Sequence, residues 1–351
     1  MAERCSFDAE LKLKKRRVGS TDLSISEIGF GCGGNAGLMV RGELREQVRT
    51  VARALELGIN YFDNSPDYGD GAAERNLGSV LREICERPLL NSKVEIRAHN
   101  LKDIAGHVVT STEESLRRLG VDYLDVLQIH NGPTALPPKL EGKAYTHLWI
   151  EDFLAPGGAI DGALRLKRAG KVRHIGFICR GNDGTQVRQL LETGLFSLIN
   201  VPYTLLNPSA GRAMPEGLTT SLDFGNVISA AAACGAGSAI YAPLAGGFLT
   251  DDAIKGAMRH RLARQQDPAT DVAMRQRARA QTFAFLAQET GMSLAQTAFR
   301  FILDHAAVTV ALGGFSSVEQ MEEIAAAAHK PSLNSFQMAR IESIWRSNFS
   351  S

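Results

Sequence analysis

Short apolar runs alternate with longer amphipathic stretches along most of this chain. Eight runs read as strands: ISEIGFGC (25–32), YFDNS (61–65), VEIRAHN (94–100), VLQIH (126–130), VRHIGFI (172–178), INVPYT (199–204), SAIYAPL (238–244) and VTVALGG (308–314). The stretches between them carry helical periodicity. LREQVRTVARALELG (44–58) puts Val48, Val51, Ala52 and Leu55 on one stripe and ends on Gly58, a residue suited to a helix C-terminus. The stretches ending on Gly120 and Gly170 close in the same way. Strand–helix alternation of this kind predicts a parallel α/β fold. Eight such units without a break in composition predict a closed (β/α)8 TIM barrel, not an open doubly wound sheet.

RRVGSTDLSIS, before the first strand, alternates around a Gly-Ser-Thr-Asp turn and reads as a hairpin over the barrel floor. The expected organisation is a polar N-terminal tail at 1–15, a single barrel at 16–335 and a C-terminal helix or tail at 336–351. Long loops follow strands four (131–158, with Tyr145, Trp149 and Phe153), six (207–223) and seven (249–272). All three leave strand C-termini, the face where barrel enzymes place their sites, and are expected to shape a substrate pocket.

Composition narrows the functional classes. A chain of 351 residues that is 44% hydrophobic and 22% charged can bury a large core, and a net charge of +1 with acids and bases interspersed suggests no footprint for nucleic acid or an anionic membrane. Cys5, Cys32, Cys85, Cys179 and Cys234 are scattered, which argues against a disulfide framework or a zinc site and for a reducing cytoplasm. Cys32 and Cys179 fall at strand ends, where small apolar fillers are the simplest reading. MAERCSFDAELKLKKRR has no apolar core of a secretory signal, and no run of about 18 apolar residues offers a membrane span. His and carboxylates with metal-ligand spacing are absent, so no metal is expected.

Candidate chemistry gathers at strand ends. Asp63 closes strand two and Tyr68 follows in its loop; His130 closes strand four; His99 closes the run taken as strand three. A carboxylate, a phenol and imidazoles on one barrel face suit proton transfer.

With these segments in place the chain resembles the aldo-keto reductase superfamily, from about residue 16 to 330. The resemblance rests on RRVGSTDLSISEIGFGCGG, GINYFDNSPDYGDGAAERNLG, DYLDVLQIH, YAPLAGGFLT and GMSLAQTAFRFILDHAAVTVALGGFSSVEQMEEI, in that order. It implies a metal-free oxidoreductase that reduces an aldehyde or ketone with NADP(H), or oxidises the alcohol, with NAD(H) as the other possibility. Residue by residue it implies Tyr68 as proton donor, His130 as the histidine that orients the substrate oxygen, and Asp63 as the carboxylate of a lysine–aspartate pair that lowers the tyrosine pKa.

The family's Thr-Lys pair at the end of strand three reads here as Ala98-His99, so His99 takes the cation's place, with Lys102 three residues on. Three readings stay open: a protonated His99 paired with Asp63, a neutral His99 relaying a proton, or a barrel that has lost redox activity and serves as a ligand sensor or a non-redox isomerase or lyase.

For the cofactor the resemblance implies Asn200 and Tyr203 on strand six. It further implies Pro243, Leu244 and Gly246 after strand seven, and Gly314, Phe315, Ser316 and Gln320 around the last strand and its helix. There, backbone N–H groups and close glycine approach suit phosphate. Ile178 and Cys179 stand where polar nicotinamide contacts are usual, Gln320 where an arginine often meets the 2′-phosphate, and Ile324 where an asparagine often meets the adenine. Arg264 or Lys255 could supply the missing charge. The partner is a small carbonyl or alcohol; the sequence selects no substrate, direction or oligomeric state.

Overall fold

Twelve strands are seen among the described residues, which are 12–137, 147–180 and 184–350 of the computed structural model. They are β1 (Lys15–Arg17), β2 (Ser24–Ser26), β3 (Ile28–Gly31), β4 (Tyr61–Asp63), β5 (Leu89–Val94), β6 (Leu124–Ile129), β7 (Gly132–Thr134), β8 (His147–Trp149), β9 (Val172–Ile178), β10 (Leu198–Pro202), β11 (Gly237–Tyr241) and β12 (Val310–Gly314). Eight of them, β3, β4, β5, β6, β9, β10, β11 and β12, pair in parallel in chain order and close β12 back onto β3. This is the expected (β/α)8 barrel, and β1 and β2 form the expected antiparallel hairpin before it.

The hairpin plugs the floor. Val18, Leu23 and Ile25 pack with Tyr61, Val126, Leu198, Ala239, Val310 and Leu312 in one buried cluster. Arg16 ties the hairpin on by donating to Val308 O (2.8 Å), Leu303 O (2.9 Å) and Glu27 (2.9 Å). Gly19 is needed at the turn: its φ is +49°, and a Cβ there would lie 2.1 Å from Gly235 O.

Strand periodicity then decides what lies one layer up. Side chains two residues apart share a face, so Tyr61 is followed inward by Asp63, Val126 by Gln128, Leu198 by Asn200 and Ala239 by Tyr241. An apolar floor therefore carries a buried polar layer at the C-terminal end of the barrel.

The third strand departs from the sequence expectation. It is LLNSKV, 89–94, and ends where VEIRAHN was expected to begin. β5 places Asn91 and Lys93 in the polar layer, so its inner face looks like loop sequence. The alternation of Val94, Ile96 and Ala98 imitated a strand. In the structure Arg97 begins a tight turn in which its N–H bonds Asn100 Oδ1 at 2.9 Å, and Ala98–Asn100 form one 3-10 turn.

The helix Leu44–Glu56 buries Gln47, Thr50, Val51 and Ala54, a stripe rotated from the expected one. The amide of Gln47 turns inward because it donates to Leu38 O and Gly42 O, both at 3.0 Å. Of the loop after β6, part is described: β7 and β8 pair, and Phe153 is buried against Phe177 instead of lining a pocket. Tyr145, Cys5 and most of the polar tail lie outside the described residues. The C-terminal helix Ser335–Arg346 docks on the barrel through fully buried Trp345, whose indole donates to Leu205 O at 2.8 Å. Among the described residues no helix is long and apolar enough to cross a membrane, and no cluster of side chains could hold a metal ion.

Candidate active site

Asp63 ends β4, and the chain leaves it through NSPDYGDG. Gly69, Asp70 and Gly71 all have positive φ (63°, 51° and 78°), which turns the chain sharply after Tyr68 and into the helix Ala72–Ile84. Gly69 is required there, since a Cβ would sit 2.5 Å from Val40 Cγ1. The turn swings the Tyr68 ring back over the barrel mouth.

The cation beside Tyr68 is Lys93. Its ammonium bonds Asp63 Oδ1, donates to Asn64 O at 2.7 Å, and reaches the Tyr68 hydroxyl at 3.2 Å. The Lys93 side chain is 1% exposed and that of Asp63 is 5% exposed. Asp63 Oδ2 accepts from Asn91 (2.8 Å) and Asn200 (2.9 Å), and Gln128 donates to Asn200 Oδ1 at 2.6 Å. The carboxylate is thus saturated by a cation and two amides, which is how a buried charge is tolerated.

His99 is not part of this cluster. It is exposed in the 3-10 turn beyond β5, and Lys102 is exposed as well. The expectation that His99 replaces the lysine is corrected. Ser92-Lys93 occupies the strand end, six residues before Ala98-His99, because β5 is shifted by a strand's length. Ser92 donates to buried Glu74 at 2.5 Å, and Glu74 is held by Arg118 at 2.6 Å. This locks the strand residue next to Lys93.

His130 follows β6 and meets Tyr68 edge-on, with ring centroids 6.2 Å apart. Its Nδ1 faces Asp67 Oδ2 at 3.2 Å and Ser65 Oγ at 3.3 Å, and its Nε2 faces Arg180 Nη2 at 2.9 Å.

Electrostatics follow from burial and these partners. Desolvation raises the Tyr68 pKa above its ordinary value, and the Lys93 charge opposes that rise. Desolvation works against the Lys93 ammonium, but Asp63 and Tyr68 together outweigh it and the pKa is raised, so Lys93 stays charged. Desolvation pushes the His130 imidazole down to about 4 despite Asp67, with the Lys93 and Arg180 charges helping. The ring is neutral at pH 7.

The expected cofactor residues divide. Asn200 is in the polar layer, tied to Asp63. Pro243, Leu244 and Gly246 form the turn after β11, where Ala242, Ala245, Gly246 and Gly247 have φ of 51°, 49°, 75° and 93°. Gly314 ends β12 at the same mouth. Phe315 sends its side chain into the core against Phe30 (5.1 Å), leaving backbone to the mouth. Ser316 donates through its hydroxyl to Ala36 O (2.7 Å) and through its N–H to Gln320 Oε1 (2.9 Å).

Tyr203 is not brought to the site. It packs outside the barrel between Phe301 (4.9 Å) and His305 (5.6 Å). The aromatic ring at the mouth is Tyr241, whose hydroxyl donates to Cys179 O at 3.1 Å. Cys179 itself is buried, with its thiol pKa pushed up by desolvation, as a filler would be.

Sequence reasoning missed Lys93, Asn91, Tyr241 and Arg180. Pro88 after the end of the preceding helix was the available signal for β5, since it marks a strand start.

The described residues thus form a (β/α)8 barrel with a Tyr–Lys–Asp cluster and a histidine at its C-terminal mouth. The model of the Aldo/keto reductase family matches residues 27–346, and the chain belongs to that family. It is an NAD(P)-dependent oxidoreductase. It is 25% identical over 350 residues to L-glyceraldehyde 3-phosphate reductase of Escherichia coli, covering 94% of this chain and 92% of that protein. It is 28% identical over 257 residues to the NADH-specific methylglyoxal reductase of Escherichia coli, covering 68% and 69%. The solved glycerol dehydrogenase from Gluconobacter oxydans has the same fold, with a TM-score of 0.72 at 21% identity over 96% of this chain and 97% of that one. So does an aldo-keto reductase from Bacillus halodurans in its holo form, with a TM-score of 0.69 at 21% identity over 96% and 100%.

Proposed function

We propose that this enzyme reduces an aldehyde or ketone, or oxidises the matching alcohol, with Tyr68 as the residue that gives or takes the proton. The observation that carries this is the Lys93 ammonium, held by buried Asp63 and 3.2 Å from the Tyr68 hydroxyl. A phenol is a weak acid at neutral pH, and desolvation makes this one weaker. The fixed cation offsets part of that and stabilises the phenolate left after proton donation. Asn91 and Asn200 hold the Asp63 carboxylate aimed at Lys93, and Gln128 fixes Asn200 in turn. His130, edge-on to Tyr68, helps to position the bound oxygen beside the phenol by its shape.

The mouth suits a nicotinamide dinucleotide. Asn64 Nδ2 and Asn91 Oδ1 are buried without a hydrogen-bond partner among the described residues, leaving amide capacity for a ligand. Tyr241 offers a ring face, and the positive-φ turn after β11 offers backbone N–H groups for a pyrophosphate. When bound, the cofactor supplies or accepts hydride at its nicotinamide carbon.

The preferred cofactor in this reading is NADP(H). A cavity of about 270 Å³ lies beside Ser316 and Ser317, at the start of the helix Val318–Ala327, and is lined by Arg49, His260 and Arg261. Arg49 and Arg261 face carboxylates only at 3.8 Å and 3.5 Å, so both have charge to spare for a 2′-phosphate. Arg264 and Lys255 do not line this cavity.

The reading includes a cytoplasmic setting, which the unpaired Cys32, Cys85, Cys179 and Cys234 suit. The alternative of a non-redox barrel leaned on a missing lysine and on Ile178 and Cys179 in place of polar nicotinamide contacts; Lys93 weakens the first ground, and the second is read out by the same titration. The test is fluorescence titration with NADPH and NADH, followed in the same cuvette by a panel of carbonyls. Consumption of reduced cofactor supports the reading; failure of both reduced and both oxidised cofactors to bind overturns it.

A further inference from the structure

Arg180 is the group at the mouth that the reaction above leaves unused. Its guanidinium donates to His130 Nε2 at 2.9 Å. Arginine carries only donors, so Nε2 is the acceptor and the ring proton sits on Nδ1, facing Asp67. Nε2 therefore has no proton for a substrate oxygen while Arg180 is there.

The surrounding charges leave Arg180 under-used. Glu95 Oε1 is 3.6 Å from Arg180 Nη1, beyond hydrogen-bond length, and Glu95 Oε2 is held by Arg97 at 3.1 Å. Arg97 also takes Asp67 at 2.8 Å. Among the described residues, the hydrogen bond Arg180 makes is to a neutral ring nitrogen, which accepts a single N–H and brings no opposite charge, where a carboxylate would accept two. The Arg180 side chain is 31% exposed, so a ligand can reach it. Through His130, which meets the Tyr68 ring edge-on, it borders the reacting site, and its charge is felt by the phenols of both Tyr68 and Tyr241.

We propose that Arg180 is a specificity-determining residue that pairs with a carboxylate next to the reacting carbon, so that the enzyme acts on 2-oxo acids and the corresponding 2-hydroxy acids. The planar fork of the guanidinium matches the two oxygens of a carboxylate, and His130 is its resting place when no acid is bound. In the reducing direction C2 gains hydride from the reduced nicotinamide, which is oxidised. The C=O π pair moves to oxygen, which takes the Tyr68 proton. The carboxylate is unchanged and stays on Arg180. This assignment rests on the oxidoreductase reading for its chemistry, though not for its anion site.

The test compares wild type, Arg180→Met and Arg180→Lys on benzoylformate and its methyl ester, following reduced nicotinamide absorbance. Wild type is expected to favour the acid, and Arg180→Met to lower the acid-to-ester ratio of kcat/KM by roughly 100-fold, mainly through KM, with partial return in Arg180→Lys. An unchanged ratio overturns the proposal. A second arm needs no turnover: calorimetric titration with oxamate, a carboxylate that is not reduced. Binding that weakens by roughly tenfold or more in Arg180→Met supports the anion site; equal affinity, or no binding to wild type, overturns it. Arg180-dependent oxamate binding in a protein that reduces no carbonyl would keep the anion site and defeat the oxidoreductase reading. Reduction of neutral carbonyls with oxamate binding indifferent to Arg180 would do the reverse.

Discussion

Replacing Lys93 by Met tests the centre of the site through two independent readouts. The ammonium is 1% exposed and bonded to Asp63, Asn64 O and the Tyr68 hydroxyl. Its removal leaves Asp63, 5% exposed, with the amides of Asn91 and Asn200 alone. Breaking a buried pair by removing one partner costs about 3–5 kcal/mol, and the two remaining amides put this case near about 3 kcal/mol. The same change removes the main influence that holds the Tyr68 pKa down against desolvation. The phenol then becomes a weaker acid and its phenolate less stable. The loss in kcat should be about 10²–10⁴-fold, the range set by a positioned acid. Urea melts and steady-state kinetics on one preparation read both effects. His99→Ala, changing an exposed side chain outside the cluster, should leave both within a few-fold of wild type. The reasoning is refuted if Lys93→Met keeps near-normal kcat, or if His99→Ala loses as much as Lys93→Met.

Three further outcomes are expected. Tyr68→Phe should lower turnover by about 10²-fold or more while NADPH affinity by fluorescence titration stays close to wild type; a parallel loss of affinity would make Tyr68 a structural residue. His130 has a pKa depressed to about 4 from 6.5, so the unfolded chain binds the extra proton and folding stability falls as pH drops from about 6.5 to about 4, then levels. That shift corresponds to about 3 kcal/mol, and His130→Gln should flatten the slope in this window in denaturant melts at stepped pH; an equal slope in both proteins would remove His130 as its source. Arg49→Ala with Arg261→Ala should raise the Kd for NADPH by roughly tenfold or more and leave that for NADH nearly unchanged, measured by fluorescence, because a 2′-phosphate contact is specific to one cofactor; equal change for both would place the 2′-phosphate elsewhere.

Much of the architecture was legible from periodicity. Strand-like runs overlapped β3, β4, β6 and β9 through β12, and the hairpin followed from its turn residues, because apolar alternation is a local property of the chain. Asp63, Tyr68 and His130 were legible because Asp63 and His130 close apolar strands, Tyr68 follows in the loop after the first of them, and both segments resemble motifs of the family. Lys93 was hidden for the opposite reason. Asn91 and Lys93 are polar and point into the barrel, so LLNSKV lacks the apolar inner face by which a strand is recognised, and the more regular VEIRAHN drew the register six residues downstream.

The amino-acid sequence by itself determined the barrel, the strand-end chemistry and the absence of a strong charge imbalance, since each depends on neighbours in the chain. Only the tertiary structure decided which polar groups meet. Asp63, Lys93 and Asn200 come from three strands up to 137 residues apart; a strand's inward face is set by its partners, not by its own pattern. Tyr203 and Tyr241 look alike in sequence, yet β10 has ended before Tyr203 and the chain carries it outward, while Tyr241 closes β11 facing in. Arg180 acquires its meaning from His130, 50 residues earlier, because barrel closure places the ends of β6 and β9 side by side.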